Sequence, residues 1–331
     1  MISLDRIKFV TDIKYIISIN SKLSTVIFKN NTQKAIRIKQ TKPFNLYISY
    51  NPSESNAIIE FSSKILLNRY SELITIKTIY SCLENINKLG YCVLDIDKII
   101  SDSKIISIDI TSDVDELLIH DNLSIAMKSC INNTTKYHVQ KYTNSGYTIT
   151  KDVKTMNRKV RFSIYNKYKE LLKSSNSDFL ATVSNKDDIM KYYYGKYRIE
   201  ANVKTIKQIK EFCQTESSSL LEVLNSKATP LLKIFDSIFK IPDMNKESDN
   251  DFQSILNNKP LSKVKNMLLI KACNNDPEQI DLVLNNCLSP KTNKGKYKSK
   301  LTKLISAQPQ QNENFKLMHS IREKLIANEY R

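Results

Sequence analysis

Glycine is scarce: Gly90, Gly146, Gly195 and Gly295 are the only four in 331 residues. Phosphate-cradling loops need several glycines close together so that backbone amides can approach the anion. A Walker loop and a dinucleotide fingerprint are therefore excluded. ATP-driven work and nicotinamide chemistry on the usual folds go with them. The three histidines (His120, His138, His319) stand far apart, and the six cysteines (Cys82, Cys92, Cys130, Cys213, Cys273, Cys287) form no Cys-x-x-Cys pair. That spacing lacks a zinc signature. Scattered cysteines in a chain this long read as reduced core residues of a cytoplasmic protein. Long apolar runs are missing too; residues 267–270 form one of the longest, so no membrane span is expected. Residues 1–5 show no basic-then-apolar pattern, so no signal peptide is expected. Any metal is left to carboxylates, which points to Mg²⁺ or Mn²⁺.

Charge is abundant and one-sided. Lys and Arg number 51 against 34 Asp and Glu, a net charge of +17. The wealth of Lys, Asn, Ile and Tyr fits an AT-rich genome, which accounts for part of the excess. A charge of this size still creates a long-range field that attracts polyanions, and nucleic acid is the expected partner. At 41% hydrophobic and 26% charged residues, the chain can bury a sizeable core.

Up to about residue 215 the pattern mixes strands and helices. Short β-branched or aromatic segments at 6–10, 13–19, 24–28, 35–38, 44–50 and 56–61 read as strands. A helical period covers 74–89, a strand 105–111, and a second helical period 114–130. Strands follow at 136–141, 147–151, 160–165 and 197–203, with a helix at 167–174 between the last two. Beyond Thr205 the periods are almost all helical: 206–213, 218–224, 230–239, 264–273, 280–286 and 315–327. The fold class expected is α+β: an antiparallel sheet with helices packed on one face, then a mostly helical C-terminal region. The domains expected are 1–215 and 216–331.

Alternation decides which strand side chains share a face. Ile106, Ile108 and Ile110 point one way, and Ser107, Asp109 and Thr111 the other. Likewise Arg198, Glu200 and Asn202 oppose Tyr197, Ile199, Ala201 and Val203. Arg161, Ser163 and Tyr165 oppose Val160, Phe162 and Ile164. Glu60 lies between Ile59 and Phe61. Any one such strand is what an antiparallel sheet with one wet face yields by default. Together in one sheet, Asp109, Glu200 and Glu60 would converge on one divalent ion, with Tyr165 and Arg161 beside it. A tyrosine hydroxyl can attack a DNA phosphodiester when a metal polarises the phosphoryl oxygens and basic groups offset the developing charge. Residues 151–170 supply Lys151, Lys154, Arg158, Lys159, Arg161, Lys167 and Lys169 against Asp152 and Glu170. That density suits a phosphate-binding groove.

The string Arg161-Phe-Ser-Ile-Tyr165-Asn-Lys167-Tyr-Lys-Glu170-Leu-Leu resembles the block around the nucleophilic tyrosine of rolling-circle replication initiators. The branch is that of filamentous-phage (inovirus-type) initiators and related phage and plasmid replication proteins. Three further blocks match in order: Glu60-Phe-Ser-Ser-Lys64-Ile-Leu66, Ile108-Asp109-Ile110-Thr111, and Tyr197-Arg198-Ile199-Glu200 through Lys204. The resemblance covers about residues 56–210. It implies a replication-nuclease-like catalytic domain that nicks one strand at an origin and stays linked to the 5′ phosphate through Tyr165. A second transesterification would circularise the displaced strand. It further implies Asp109, Glu200 and Glu60 as ligands of Mg²⁺ or Mn²⁺, with Lys167 and Glu170 as catalytic neighbours. Arg161, Arg198, Lys159 and Lys64 would serve at DNA phosphates. The partners expected are single-stranded and duplex DNA, a host helicase and no membrane, in the cytoplasm of a bacterial host. The His-hydrophobe-His pair of the broader superfamily is absent.

Other features are open between a function and a plainer reading. Tyr168 is a second nucleophile or a packing residue. The run Lys291, Lys294, Lys296, Lys298, Lys300, Lys303 has no acid in it. It reads as a duplex-binding helix-turn-helix or winged element, or as a solvated loop. Tyr192-Tyr193-Tyr194 reads as a base-stacking cluster or as half-buried core. The competing function is a non-catalytic DNA-binding replication or partition protein, and a third is an RNA-binding or structural protein of a mobile element.

Overall fold

The computed structural model describes residues 1–20, 22, 24–29, 32–40, 43–50, 54–115, 123–132, 137–142, 145–151, 160–242, 261–273, 275–288, 293–306 and 313–329. The strands are β1 (Leu4–Asp12), β2 (Ile16–Ile19), β3 (Thr25–Lys29), β4 (Thr32–Gln40), β5 (Leu46–Tyr50) and β6 (Asn56–Ser62). They continue with β7 (Cys92–Leu94), β8 (Lys104–Asp115), β9 (Tyr137–Tyr142), β10 (Gly146–Lys151), β11 (Arg161–Asn166) and β12 (Lys196–Val203). Ten form one sheet in the order β3-β4-β5-β6-β1-β8-β12-β11-β10-β9, and β2 pairs with β7 separately. The central pairings, β6–β1–β8–β12–β11–β10, are all antiparallel. The fold is α+β, with a helical C-terminal region, as the sequence predicts.

The chain divides into two compact units. The first comprises Met1–Leu117, Gln140–Ile234 and Leu325–Arg331, and the second Leu118–Val139 and Phe235–Lys324. Helices α1 (Ile79–Lys88), α2 (Ile96–Asp102), α4 (Lys167–Leu171), α5 (Ser177–Thr182), α6 (Lys186–Tyr193), α7 (Ile206–Cys213) and α8 (Leu220–Leu224) belong to the first, and α3 (Leu123–Cys130) to the second.

One side of the first unit's sheet is its core. Ile7 faces Phe61 and Ile108, Ile110 faces Ala201, and Phe162 faces Ala201 across the ladders. All six are buried, and each large one contributes about 1.5–3 kcal/mol by leaving water. The Phe9 and Phe61 rings meet edge to face at 6.2 Å. Two helical expectations shift. Val114 and Asp115, read as the start of a helix, extend β8 instead, because Val114 pairs with Tyr197 and Asp115 with Lys196. The period at 74–89 becomes helical only from Ile79, after a turn in which the Thr75 amide donates to the Thr78 hydroxyl at 2.8 Å.

In the second unit, the helices Leu261–Ala272, Pro277–Cys287 and Lys294–Ser306 enclose Ile270, Cys273, Ile280, Leu284 and Leu301. Asp276 caps the middle helix, its carboxylate accepting from the Glu278 amide at 2.9 Å, with Pro277 at the first helical position. The lysine run therefore lies largely on a helix from Lys294 onward, and Lys291 lies outside the described residues.

Candidate functional site

The opposite side of the same sheet is polar. Cross-strand neighbours share a face, and the registers line up Arg6 with Asp109, Asp109 with Asn202, and Asn202 with Arg161. One step along, Thr111, Glu200 and Ser163 are in line, followed by Asp113, Arg198 and Tyr165. Lys8 pairs with Glu60 and Ser107 on the near strands. The sheet thus brings Glu60, Asp109, Glu200, Arg161 and Tyr165 onto one face, as the two-residue period predicts.

Tyr165 is the next-to-last residue of β11, and Asn166, the last, caps α4 by accepting from the Lys169 amide at 2.8 Å. This strand-to-helix corner explains the Tyr-Asn-Lys-x-x-Glu spacing. It folds Lys167 back so that Nζ lies 5.7 Å from the centre of the Tyr165 ring, while its charge meets Glu170 Oε2 at 2.8 Å. Glu170 in turn accepts from the Asn176 side chain at 3.0 Å, and Lys64 Nζ donates to Asn176 Oδ1 at 2.7 Å. Lys64, Lys167 and Glu170 are therefore brought to one cluster.

The Tyr165 hydroxyl donates to Glu200 Oε2 at 2.9 Å, and Arg161 Nη2 stands 3.9 Å from Glu200 Oε1. Tyr165 is only 2% exposed. Tyr142 covers it, the two rings stacked with centres 4.6 Å apart. Burial, then the nearby Glu200 charge, push the Tyr165 phenol well above its ordinary range. Glu200 is raised to about 7, first by burial and then by the charges of Asp109 and Asp5, with the Tyr165 hydrogen bond opposing. A carboxyl poised near neutrality against a phenol is the arrangement of a proton acceptor.

The raised Glu200 value has a consequence for stability. Below the ordinary value of 4.5, Glu200 is protonated in both folded and unfolded chains, and its burial is harmless. As pH rises to about 7, the unfolded chain releases the proton first, and stability falls. The full difference is on the order of 3 kcal/mol. Glu200→Gln is expected to raise the urea unfolding free energy over the native protein at pH 8 but not at pH 4. Equal effects at both pH values would show that Glu200 is not held protonated by the fold.

The remaining carboxylates are satisfied by cations of the chain. Arg6 donates to Asp109 Oδ2 at 2.8 Å and Oδ1 at 3.1 Å, to Glu60 Oε1 at 2.7 Å and to Ser107 Oγ at 3.0 Å. Lys8 meets the other Glu60 oxygen at 3.0 Å, and the Asn202 amide donates to Asp109. Among the described residues no group of three or more His, Cys, Asp or Glu is placed to hold a metal ion. Mg²⁺ or Mn²⁺ does not fit this donor set unless Arg6 leaves it. Arg6→Met should therefore destabilise the protein by less than the roughly 3–5 kcal/mol of a fully enclosed pair, since Arg6 keeps some exposure. Millimolar Mn²⁺ is expected to restore part of the loss in a thermal unfolding experiment on this variant. No restoration would show that Glu60 and Asp109 cannot share an ion.

No protein-family model, curated protein or solved structure matches this chain.

Two expectations change on the ground of burial. Arg198, expected at a phosphate, is 0% exposed. Its guanidinium holds Asp113 with two bonds of 2.7 and 2.8 Å and Asp5 with one of 2.7 Å, and donates to the Tyr193 hydroxyl at 3.0 Å. It is an internal ion pair. Lys167, enclosed with Glu170, is likewise unexposed. Burial and Arg198 would lower its affinity for the proton, but Tyr70, Glu170 and Asp5 raise it on balance. Lys159 lies outside the described residues. Lys296 and Lys300 are exposed, and Lys298 is paired with Asp281 at 2.5 Å; all three belong to the second unit.

Sequence reasoning passed over Arg6, Tyr142 and Gly146. Gly146 faces Tyr165 across the ladder, and a Cβ there would come within 2.5 Å of Tyr165 Cα and 2.6 Å of its Cβ. Only glycine lets β10 pass so close. Its place eighteen residues upstream of Ile164 carried no signal of that contact; the rarity of glycine in the chain was the one available hint.

Proposed function

We propose that this chain is a DNA nicking and joining enzyme of the rolling-circle initiator type, with Tyr165 as the nucleophile. The observation that carries the reading is the hydrogen bond from the buried Tyr165 hydroxyl to Glu200, a carboxyl raised to about 7. In this reading Glu200 takes the phenol proton as Oη attacks phosphorus. The P–O3′ bond breaks, the 3′ oxygen takes up a proton, and a 5′-phosphotyrosyl link forms. Attack by a 3′ hydroxyl on that link reverses the step and joins strands. Arg161, whose side chain is 47% exposed beside Glu200, offsets the charge on the phosphoryl oxygens. The Tyr142 ring leaves its stack on Tyr165 for the phosphate to enter.

The fourfold order of short motifs supports the same assignment, and so does the net charge of +17. On the helix Lys294–Ser306, Lys296, Lys300 and Lys303 fall on one exposed side by their four-and-three spacing, opposite Leu301. That stripe suits the phosphates of a duplex origin. No described helix is long and apolar enough to cross a membrane. Five of the six cysteines are buried free thiols, in keeping with a bacterial cytoplasm.

The test is a supercoiled plasmid carrying the cognate origin, incubated with divalent ions, followed by mass spectrometry of any protein–DNA adduct. A phosphotyrosyl link at Tyr165 is the expected result. Tight origin binding with neither nick nor adduct under any divalent ion would instead favour the non-catalytic DNA-binding reading.

A further inference from the structure

The three tyrosines 192–194 have different surroundings. Tyr193 is fully enclosed beneath Arg198, whereas Tyr194 is 74% exposed. Tyr194 caps α6, its amide donating to the Lys191 carbonyl, and Gly195 then turns the chain into β12 with a φ of +75°. The Tyr194 ring meets the Tyr168 ring edge to face, with centres 5.4 Å apart. Tyr168 itself packs on a buried cluster that includes Tyr70, Leu171 and Phe179. The exposed ring therefore stands on a fixed support rather than on a loose side chain. Leu172, the capping residue of α4, adds a 60% exposed apolar surface one turn beyond Tyr168.

Two exposed lysines border this patch. Lys169 on α4 and Lys191 on α6 are exposed and make no ion pair with a described residue. Of the acids on the same two helices, Glu170 is paired with Lys167, while the exposed Asp187 and Asp188 stand one turn before Lys191 on α6 without an ion pair to it. An exposed, rigidly held aromatic flanked by unpaired lysines matches bases that stack and phosphates that follow them. A protein partner would more often find a wider apolar surface.

We infer that Tyr194, supported by Tyr168, is a stacking platform for single-stranded nucleic acid, with Lys169 and Lys191 at its backbone. Tyr168 lies three residues from Tyr165, so the platform deepens the proposed function by placing unpaired bases beside the nucleophile; it rests on that reading for its purpose but not for its test.

The experiment measures fluorescence anisotropy of a labelled oligo-thymidine of about a dozen nucleotides, within the usual site sizes, with the full chain. Tyr194→Ala is expected to weaken binding about tenfold or more, the loss of one stacked base. Tyr194→Phe should keep binding within about twofold, because the π-face remains. An abasic oligonucleotide of the same length should bind native protein and Tyr194→Ala alike. Unchanged oligo-thymidine binding in Tyr194→Ala, or an equal loss with the abasic strand, overturns the platform. So does a loss of self-association in that variant, seen by sedimentation, without a loss of oligonucleotide binding. The outcome is independent of nicking: a platform confirmed beside an inert Tyr165 would retain this inference and discard the nuclease.

Discussion

On the proposed function, Tyr165→Phe is expected to abolish the covalent protein–DNA adduct outright and to reduce origin nicking by at least about 10³-fold, the scale of losing a covalent nucleophile. The substitution removes one oxygen and keeps the ring, so the stack on Tyr142 persists. The lost hydrogen bond to Glu200 should cost about 1 kcal/mol of stability. Thermal unfolding near that of the native protein would confirm that chemistry, not folding, is what fails. Tyr168→Phe serves as the counterpart. Its ring packs against Tyr194 and the core, so adduct formation should continue. Nicking that survives in Tyr165→Phe but disappears in Tyr168→Phe would move the nucleophile from β11 onto α4.

The second large effect concerns stability alone. Arg198→Leu leaves Asp5 and Asp113 facing an apolar side chain inside the protein. Removing one partner of an enclosed ion pair strands the other charge, and the expected loss is about 3–5 kcal/mol. In a chain of this size that lowers the melting temperature on the order of 10 °C. Arg198→Lys should recover little, because an ammonium cannot hold Asp113 with two bonds and reach Asp5 as well. A pH comparison separates charge from packing. Burial alone would raise Asp5, but Arg198, Lys167 and the Ser63 hydroxyl hold it at about 2. In the native protein that stabilisation is present above about pH 4 and lost as pH falls through 2. Arg198→Leu should therefore be less damaging at pH 3 than at pH 7. An equal loss at both would assign the effect to packing.

Particular residues show how far the sequence reaches. The alternation in 106–111, 160–165 and 197–203 places Asp109, Glu200 and Tyr165 on one face, and the ladders Ser163–Glu200 and Asn202–Asp109 agree. The period of two is a local property of extended backbone, so it survives without knowledge of the neighbours. Val114 was misread because a helical period and a strand end look alike over four residues, and only the pairing with Tyr197 decides. Arg6 looked like an ordinary first residue of a strand. Its role depends on Asp109, 103 residues away, and Glu60, 54 residues away.

Arg198 is the sharpest case. A basic residue beside a proposed nucleophile suggests a phosphate contact, yet Arg198 is fully buried and its partner Asp5 lies 193 residues distant. Residue type and spacing alone determined the class of fold, the polar and apolar sides of the sheet and the sign of the surface field. Which acid meets which base, and therefore which charges remain for a ligand, was settled only by strand order. Coulombic pairing acts through space, and the order in which strands lie side by side is not written in any local period.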